Sequence, residues 1–64
     1  MIQMAVSRIL VIEDDDGARD ALAYLLADEG YEVCTAGSGL EGVAVAAAFH
    51  PHAIICDYSP PDID

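Results

Sequence analysis

A chain of 64 residues holds at most one small domain, which excludes a multidomain enzyme. Apolar residues make up 55% of it, which argues against intrinsic disorder despite a formal net charge of -10. Twelve acidic residues against two arginines repel nucleic-acid phosphates and anionic lipid, so neither DNA nor a membrane surface is an expected partner. No apolar stretch approaches the roughly 20 residues that span a bilayer. Cys34 and Cys56 form neither a CxxC pair nor a disulfide-dense framework. Residues 1–7 carry no basic segment followed by an apolar core, so they read as a lead-in, a true start or a cloned one, not a secretory signal. A cytoplasmic protein is the expectation.

Ile9-Leu10-Val11-Ile12 is a continuous, mostly β-branched run ending at the acids Glu13 to Asp16, the pattern of a parallel strand buried on both faces. From Gly17 to Glu29, Ala18, Ala21, Leu22, Leu25 and Leu26 recur at helical spacing, with Asp15 or Asp16 as N-cap and Gly30 as the stop. Tyr31 to Ala36 alternates imperfectly and reads as a strand with one partly exposed side. Ser38 and Glu41 have the spacing of a capping box opening a second helix. Its apolar positions Leu40, Val43, Ala44, Ala47 and Ala48 continue to about His50, where Pro51 ends it. Ala53-Ile54-Ile55-Cys56 is a third strand, again continuously apolar and again stopping at an acid, Asp57.

Two βαβ units at this spacing predict an α/β fold: a parallel three-stranded sheet in the order 2-1-3 with a helix on each face. The order reverses between strands one and three, and ligands of open α/β sheets sit beyond the carboxyl ends of the strands at such a switch point. Glu13, Asp14 and Asp57 all fall there. Converging carboxylates repel one another, and a hard cation such as Mg2+, which takes one or two carboxylates, a carbonyl and waters, is a natural compensation. Asp15 and Asp16 read better as capping and first-turn acids favoured by the helix dipole. Asp57, held on a rigid strand end beside a cation, has the placement of a nucleophile toward a phosphoryl group.

The segments Ile-Leu-Val-Ile-Glu-Asp-Asp at 9–15, Gly-Tyr-Glu-Val at 30–33, Gly-Leu-Glu-Gly at 39–42 and Pro-His-Ala-Ile-Ile-Cys-Asp-Tyr-Ser-Pro-Pro at 51–61, together with Arg19, resemble the receiver domain of two-component response regulators. The resemblance implies a flavodoxin-like doubly wound fold across 1–64, cut after its third strand. By position it makes Glu13 and Asp14 the metal-binding acid pair and Asp57 the phosphoacceptor. Ser59 becomes the residue whose backbone carbonyl completes a Mg2+ site, and Pro61 the loop proline. It implies a histidine kinase or phosphotransfer protein as partner, and a module that accepts a phosphoryl group instead of turning over a substrate. The family's later Ser or Thr and Lys, which contact the phosphoryl group after a fourth and a fifth strand, have no counterpart here, and the chain has no lysine. The expectation is the first half of a larger domain.

Two other readings stand beside this one. Asp14 and Asp16 could form the Asp-x-Asp motif of a haloacid-dehalogenase-type phosphatase, although Gly17 and Ala18 follow where a threonine is usual. A non-catalytic interaction fragment is the third. A half-sheet leaves the outer edge of the third strand unpaired and exposes Ile54 and Ile55, so a homodimer or higher assembly through that edge is expected. His50 and His52 lie at the far end of that strand from Asp57 and read as solvated helix-end residues. The two cysteines, about 9–10 Å apart across the first strand, read as packing residues. Tyr24 and Tyr31 read as packing or rim residues, and Arg19 as a surface contact to a neighbouring acid.

Overall fold

In a computed structural model, residues 7–57 are described. The elements run β1 (Arg8–Ile12), α1 (Asp16–Asp28), β2 (Glu32–Ala36), α2 (Gly39–Phe49) and β3 (Ala53–Cys56). The three strands form one parallel sheet in the order β2-β1-β3. Leu10 pairs with Cys34 on one side and Ile54 on the other, and Ile12 pairs with Ala36 and Cys56. Most of the fold expected from the sequence is thus present, with β2 starting one residue later and α1 one residue earlier.

Successive strand residues face opposite sides of the sheet. Leu10 and Ile12 meet Ala36, Cys34, Val45, Ala46 and Phe49, so this face is covered by α2. Ile9 and Val11 face the other way and are also buried, beneath α1, which packs on β1 and β2. Leu10 and Val11 have no exposed surface at all, because β1 alone is flanked by strands on both edges and helices on both faces.

Both helices turn a different stripe inward from the one the sequence pattern suggests. On α1 the less exposed positions are Arg19, Leu22, Ala23 and Leu26, while Leu25 and Tyr24 lie largely in solvent. On α2 they are Gly42, Val45, Ala46 and Phe49, and Leu40 and Val43 are 86% and 70% exposed. Beyond Glu41 in its first turn the α2 sequence holds only glycine and apolar residues, so periodicity alone selects no face. Gly42 selects it: a Cβ there would stand 2.5 Å from Cδ1 and 3.0 Å from Cγ1 of Ile12, so only glycine lets the helix sit this close to the sheet.

β3 departs from the doubly buried strand its sequence suggests. Neither helix packs on it among the described residues, and it is held only by β1. Ile54 and Cys56 share the α2 side of the sheet, beyond the reach of that helix, and are exposed, so Cys56 is not a packing residue. Ala53 and Ile55, on the α1 side, are half-buried.

The turns follow local chemistry. Asp15 caps α1, its Oδ2 accepting from Ala18 N at 2.7 Å, and Gly30 takes φ 100° in the turn after the helix. Ser38 caps α2 by accepting from Glu41 N at 3.1 Å. The return arm of the capping box reaches Gly37 N, 3.0 Å from Glu41 Oε1, instead of the N–H of Ser38 itself. α2 ends at His50 in the left-handed conformation, φ 53°, because Pro51 disfavours the helical region for the residue before it.

At this lower end the His50 side chain is exposed at the end of α2, as expected, whereas His52 does more than face solvent. His52 Nδ1 lies 3.1 Å from Arg8 N and 3.3 Å from Ser7 N, accepting from the start of β1, and Arg8 Nε donates to the His50 carbonyl at 3.1 Å. Replacing Gly42 by valine forces branched carbons into Ile12, and overpacking of this kind costs about 1–3 kcal/mol. Urea denaturation of Gly42→Val is expected to show that loss, and a midpoint equal to wild type would contradict the close approach of α2.

Candidate functional site

The upper ends of β1 and β3 are set side by side by the sheet ladder. Asp57 N donates to Ile12 O at 2.9 Å, and Glu13 N donates to Ala36 O at 3.0 Å, so each acid leaves its strand on a fixed backbone. Asp14 follows Glu13 in the link to α1. Asp14 and Asp57 are exposed, whereas Glu13 is buried at 6% exposure, the one buried charged residue among those described. The Glu13 side chain folds back over the link, and its Oε2 accepts from Asp15 N at 3.0 Å. Every buried side-chain nitrogen and oxygen among the described residues has a partner.

Glu13 carries the electrostatic tension of the site. The Asp15 N–H favours its carboxylate. Burial, the adjoining Asp14 side chain and the negative charges of Asp57 and Asp14 outweigh that bond, and the carboxyl is raised above its usual range. Asp15 and Asp16 do not join these acids. Asp15 caps the helix, and Asp16, 87% exposed, is paired with Arg19. The second acid of the Asp-x-Asp reading is thereby turned away from the pocket. Ser59 and Pro61 lie outside the described residues, as do residues 1–6 of the lead-in.

Arg19 is more than a surface contact. Its Nη1 donates to the Glu13 carbonyl at 2.9 Å while Nη2 holds Asp16. The signal available in the sequence is its spacing, since Arg19, Leu22, Ala23 and Leu26 share the inward stripe of α1.

The donor chemistry suits a hard cation. The acids offer only oxygen, and a divalent charge beside Glu13 would relieve the repulsion that raises it. Among the described residues no three His, Cys, Asp or Glu side chains are gathered tightly enough to enclose an ion. The three acids named from the sequence, Glu13, Asp14 and Asp57, are therefore not gathered into such a group, and a Mg2+ ion there would depend on one or two of their carboxylates and on waters.

Residues 9–64 match the family model described as the response regulator receiver domain. The chain belongs to this family. It is 41% identical over 56 residues to the transcriptional regulatory protein AfsQ1 of Streptomyces coelicolor, a match covering 88% of this chain and 25% of that protein. It is 37% identical over 57 residues to the response regulator MprA of Mycobacterium avium, covering 89% and 25%. To the regulatory protein AtoC of Escherichia coli it is 32% identical over 60 residues, covering 94% and 13%. The chain therefore spans a quarter or less of the length of these relatives. No helix among the described residues is long and apolar enough to cross a membrane.

The raised Glu13 carboxyl fixes a pH dependence. A carboxyl raised on folding holds more protons folded than unfolded in the interval between its two titrations, so it destabilises progressively as pH rises through that interval. In metal-free buffer the wild type should therefore lose stability as pH climbs from the ordinary glutamate range toward neutral, and Glu13→Gln should lack that part of the slope. Thermal melts of both proteins across this range are the check, and identical slopes would contradict the assignment.

Proposed function

We propose that this chain is a phosphoacceptor module of two-component signalling, taking a phosphoryl group onto Asp57 from the phosphohistidine of a histidine kinase or phosphotransfer protein in the cytoplasm. The observation that carries the reading is the strand-end pairing, which fixes the backbone of Asp57 against Ile12 next to the buried Glu13. A carboxylate oxygen of Asp57 would attack phosphorus in line. The P–N bond of the donor breaks with its electron pair leaving on the imidazole nitrogen, and an acyl phosphate forms on Asp57. Glu13, Asp14, Asp57 and the carbonyl of Ser59 would hold Mg2+, which when bound neutralises charge on the transferring phosphoryl oxygens. Glu13 and Asp14 would hold that charge in place, and the paired end of β3 fixes the backbone that carries the nucleophile.

Transfer by this 64-residue chain is expected to be slow. Phosphoryl transfer depends on positioning and electrostatic stabilisation, and the sequence supplies no lysine to contact the phosphoryl group. The chain acts as acceptor, with at most weak self-phosphorylation from small donors and weak dephosphorylation. Mass spectrometry after incubation with acetyl phosphate and Mg2+ should find a single added phosphoryl group on Asp57 and none on Asp57→Asn. Label retained by the variant would place the acceptor elsewhere.

The reading also implies self-association of the 64-residue chain. Among the described residues the outer edge of β3 has no partner strand, no helix covers this strand, and Ile54 is 53% exposed. A second copy pairing along this edge would satisfy its free N–H and C=O groups, with a two-fold antiparallel arrangement the simplest symmetry. Acidic repulsion opposes the pairing, so salt should strengthen it. Sedimentation is expected to show a dimer or larger species that grows with salt and is lost in Ile54→Lys. A monomer at every salt and protein concentration would refute the interface.

A further inference from the structure

The carbonyl of Glu13 sits where β1 has left the sheet, and a part-buried carbonyl without a donor is costly. Nη1 of Arg19 supplies that donor at 2.9 Å from six residues along the chain. The side chain is 20% exposed and is confined from two further directions. Asp16 takes Nη2, and the backbone of Gly37, in the turn between β2 and α2, lies so close that a Cβ there would stand 3.2 Å from Nη1. Glu41 adds a nearby negative charge while anchoring Gly37 N. One side chain thus ties the acid-bearing link after β1 to the first turn of α1 and lies close against the turn after β2.

The peptide unit joining Glu13 to Asp14 is planar, so fixing the Glu13 oxygen also fixes the direction in which the chain enters Asp14. With Glu13 N bonded to Ala36 and Glu13 Oε2 bonded to Asp15 N, the Arg19 contact is the remaining restraint on the acid pair. We propose that Arg19 is a positioning residue of the pocket, orienting Glu13 and Asp14 through the Glu13 carbonyl. The role in metal binding rests on the phosphoacceptor reading; the role in holding the link does not. Lysine keeps the charge but lacks the rigid fork that serves the Glu13 carbonyl and Asp16 together.

The test compares wild type, Arg19→Gln, Arg19→Lys and Asp16→Asn below the melting temperature of each. Two quantities are read: calorimetric Mg2+ affinity, and amide exchange at Asp15 and Val11 in metal-free buffer. Loss of a residue that orients metal ligands weakens affinity about 10-fold or more, and both Arg19 variants are expected to show that loss. Arg19→Lys should recover melting temperature without recovering Mg2+ affinity, a split that a purely structural role would not produce. Asp16→Asn should bind Mg2+ close to the wild-type affinity, and exchange should quicken at Asp15 but not at Val11 in both Arg19 variants. Full recovery of affinity in Arg19→Lys would overturn the proposal, since charge alone would then suffice, and an equal loss in Asp16→Asn would overturn it by assigning the effect to the Arg19–Asp16 pair instead of the Glu13 carbonyl. Absence of Mg2+ binding in wild type would defeat the phosphoacceptor reading and leave the exchange data to decide positioning, with unchanged exchange at Asp15 refuting it. Unfolding of both Arg19 variants would likewise overturn the proposal by making Arg19 a determinant of folding.

Discussion

The molecule depends on the two-sided hydrogen bonding of β1 in one register. Ile12 is level with Ala36 on one edge and with Cys56 on the other, so the chain leaves both β1 and β3 at the same height. A parallel strand slipped by one residue would turn every side chain to the opposite face. Here Leu10, Val11 and Ile12 would each lose their present helix contacts. Burial of four apolar residues of β1 therefore fixes, with no contribution from the acids themselves, that Glu13 and Asp57 stand together at the switch point.

What the fold brings together it does not neutralise. Arg19 reaches the acidic end, but its donors go to a backbone carbonyl and to Asp16, not to the carboxylates of Glu13, Asp14 or Asp57. At the opposite end of the sheet the Arg8 side chain donates to the backbone carbonyl of His50, and the His52 imidazole accepts from Arg8 N. One end of the sheet is knit by hydrogen bonds, and the other carries a concentrated negative charge with a carboxyl raised by its neighbours. Such an arrangement is costly to folding, in keeping with the perturbed carboxyl groups that functional sites carry.

The sequence reveals the parts of this structure that depend on run length and punctuation. The doubly apolar β1, the stops at Gly30 and Pro51, the caps at Asp15 and Ser38 and the strand order all follow from local chemistry. Helix orientation does not. On α2 the residues at 40, 43, 44, 47 and 48 satisfy a 3.6-residue period as well as 42, 45, 46 and 49 do, and the choice is made by the missing side chain of Gly42, a tertiary fact. Strand β3 shows the converse: its four apolar residues state what the strand can bury, while its exposure is set by what lies beside it. At the site, the positions of Glu13, Asp14 and Asp57 follow from topology. The bonds of the Arg19 guanidinium need coordinates, because an arginine six residues downstream reads equally as a solvent-facing partner of Asp16.

The strand register brings the backbones of Glu13, Asp14 and Asp57 to one end of the sheet, where the proposed cation would bind. The most direct test of that binding is paramagnetic broadening of backbone amides by Mn2+ used in place of Mg2+. The account predicts selective broadening at residues 13, 14 and 57 at low metal, with Arg8 and His52 at the opposite end of the sheet remaining sharp. Broadening spread equally over Asp20, Asp28 and Glu29 would show a diffuse acidic surface and contradict a pocket at the switch point.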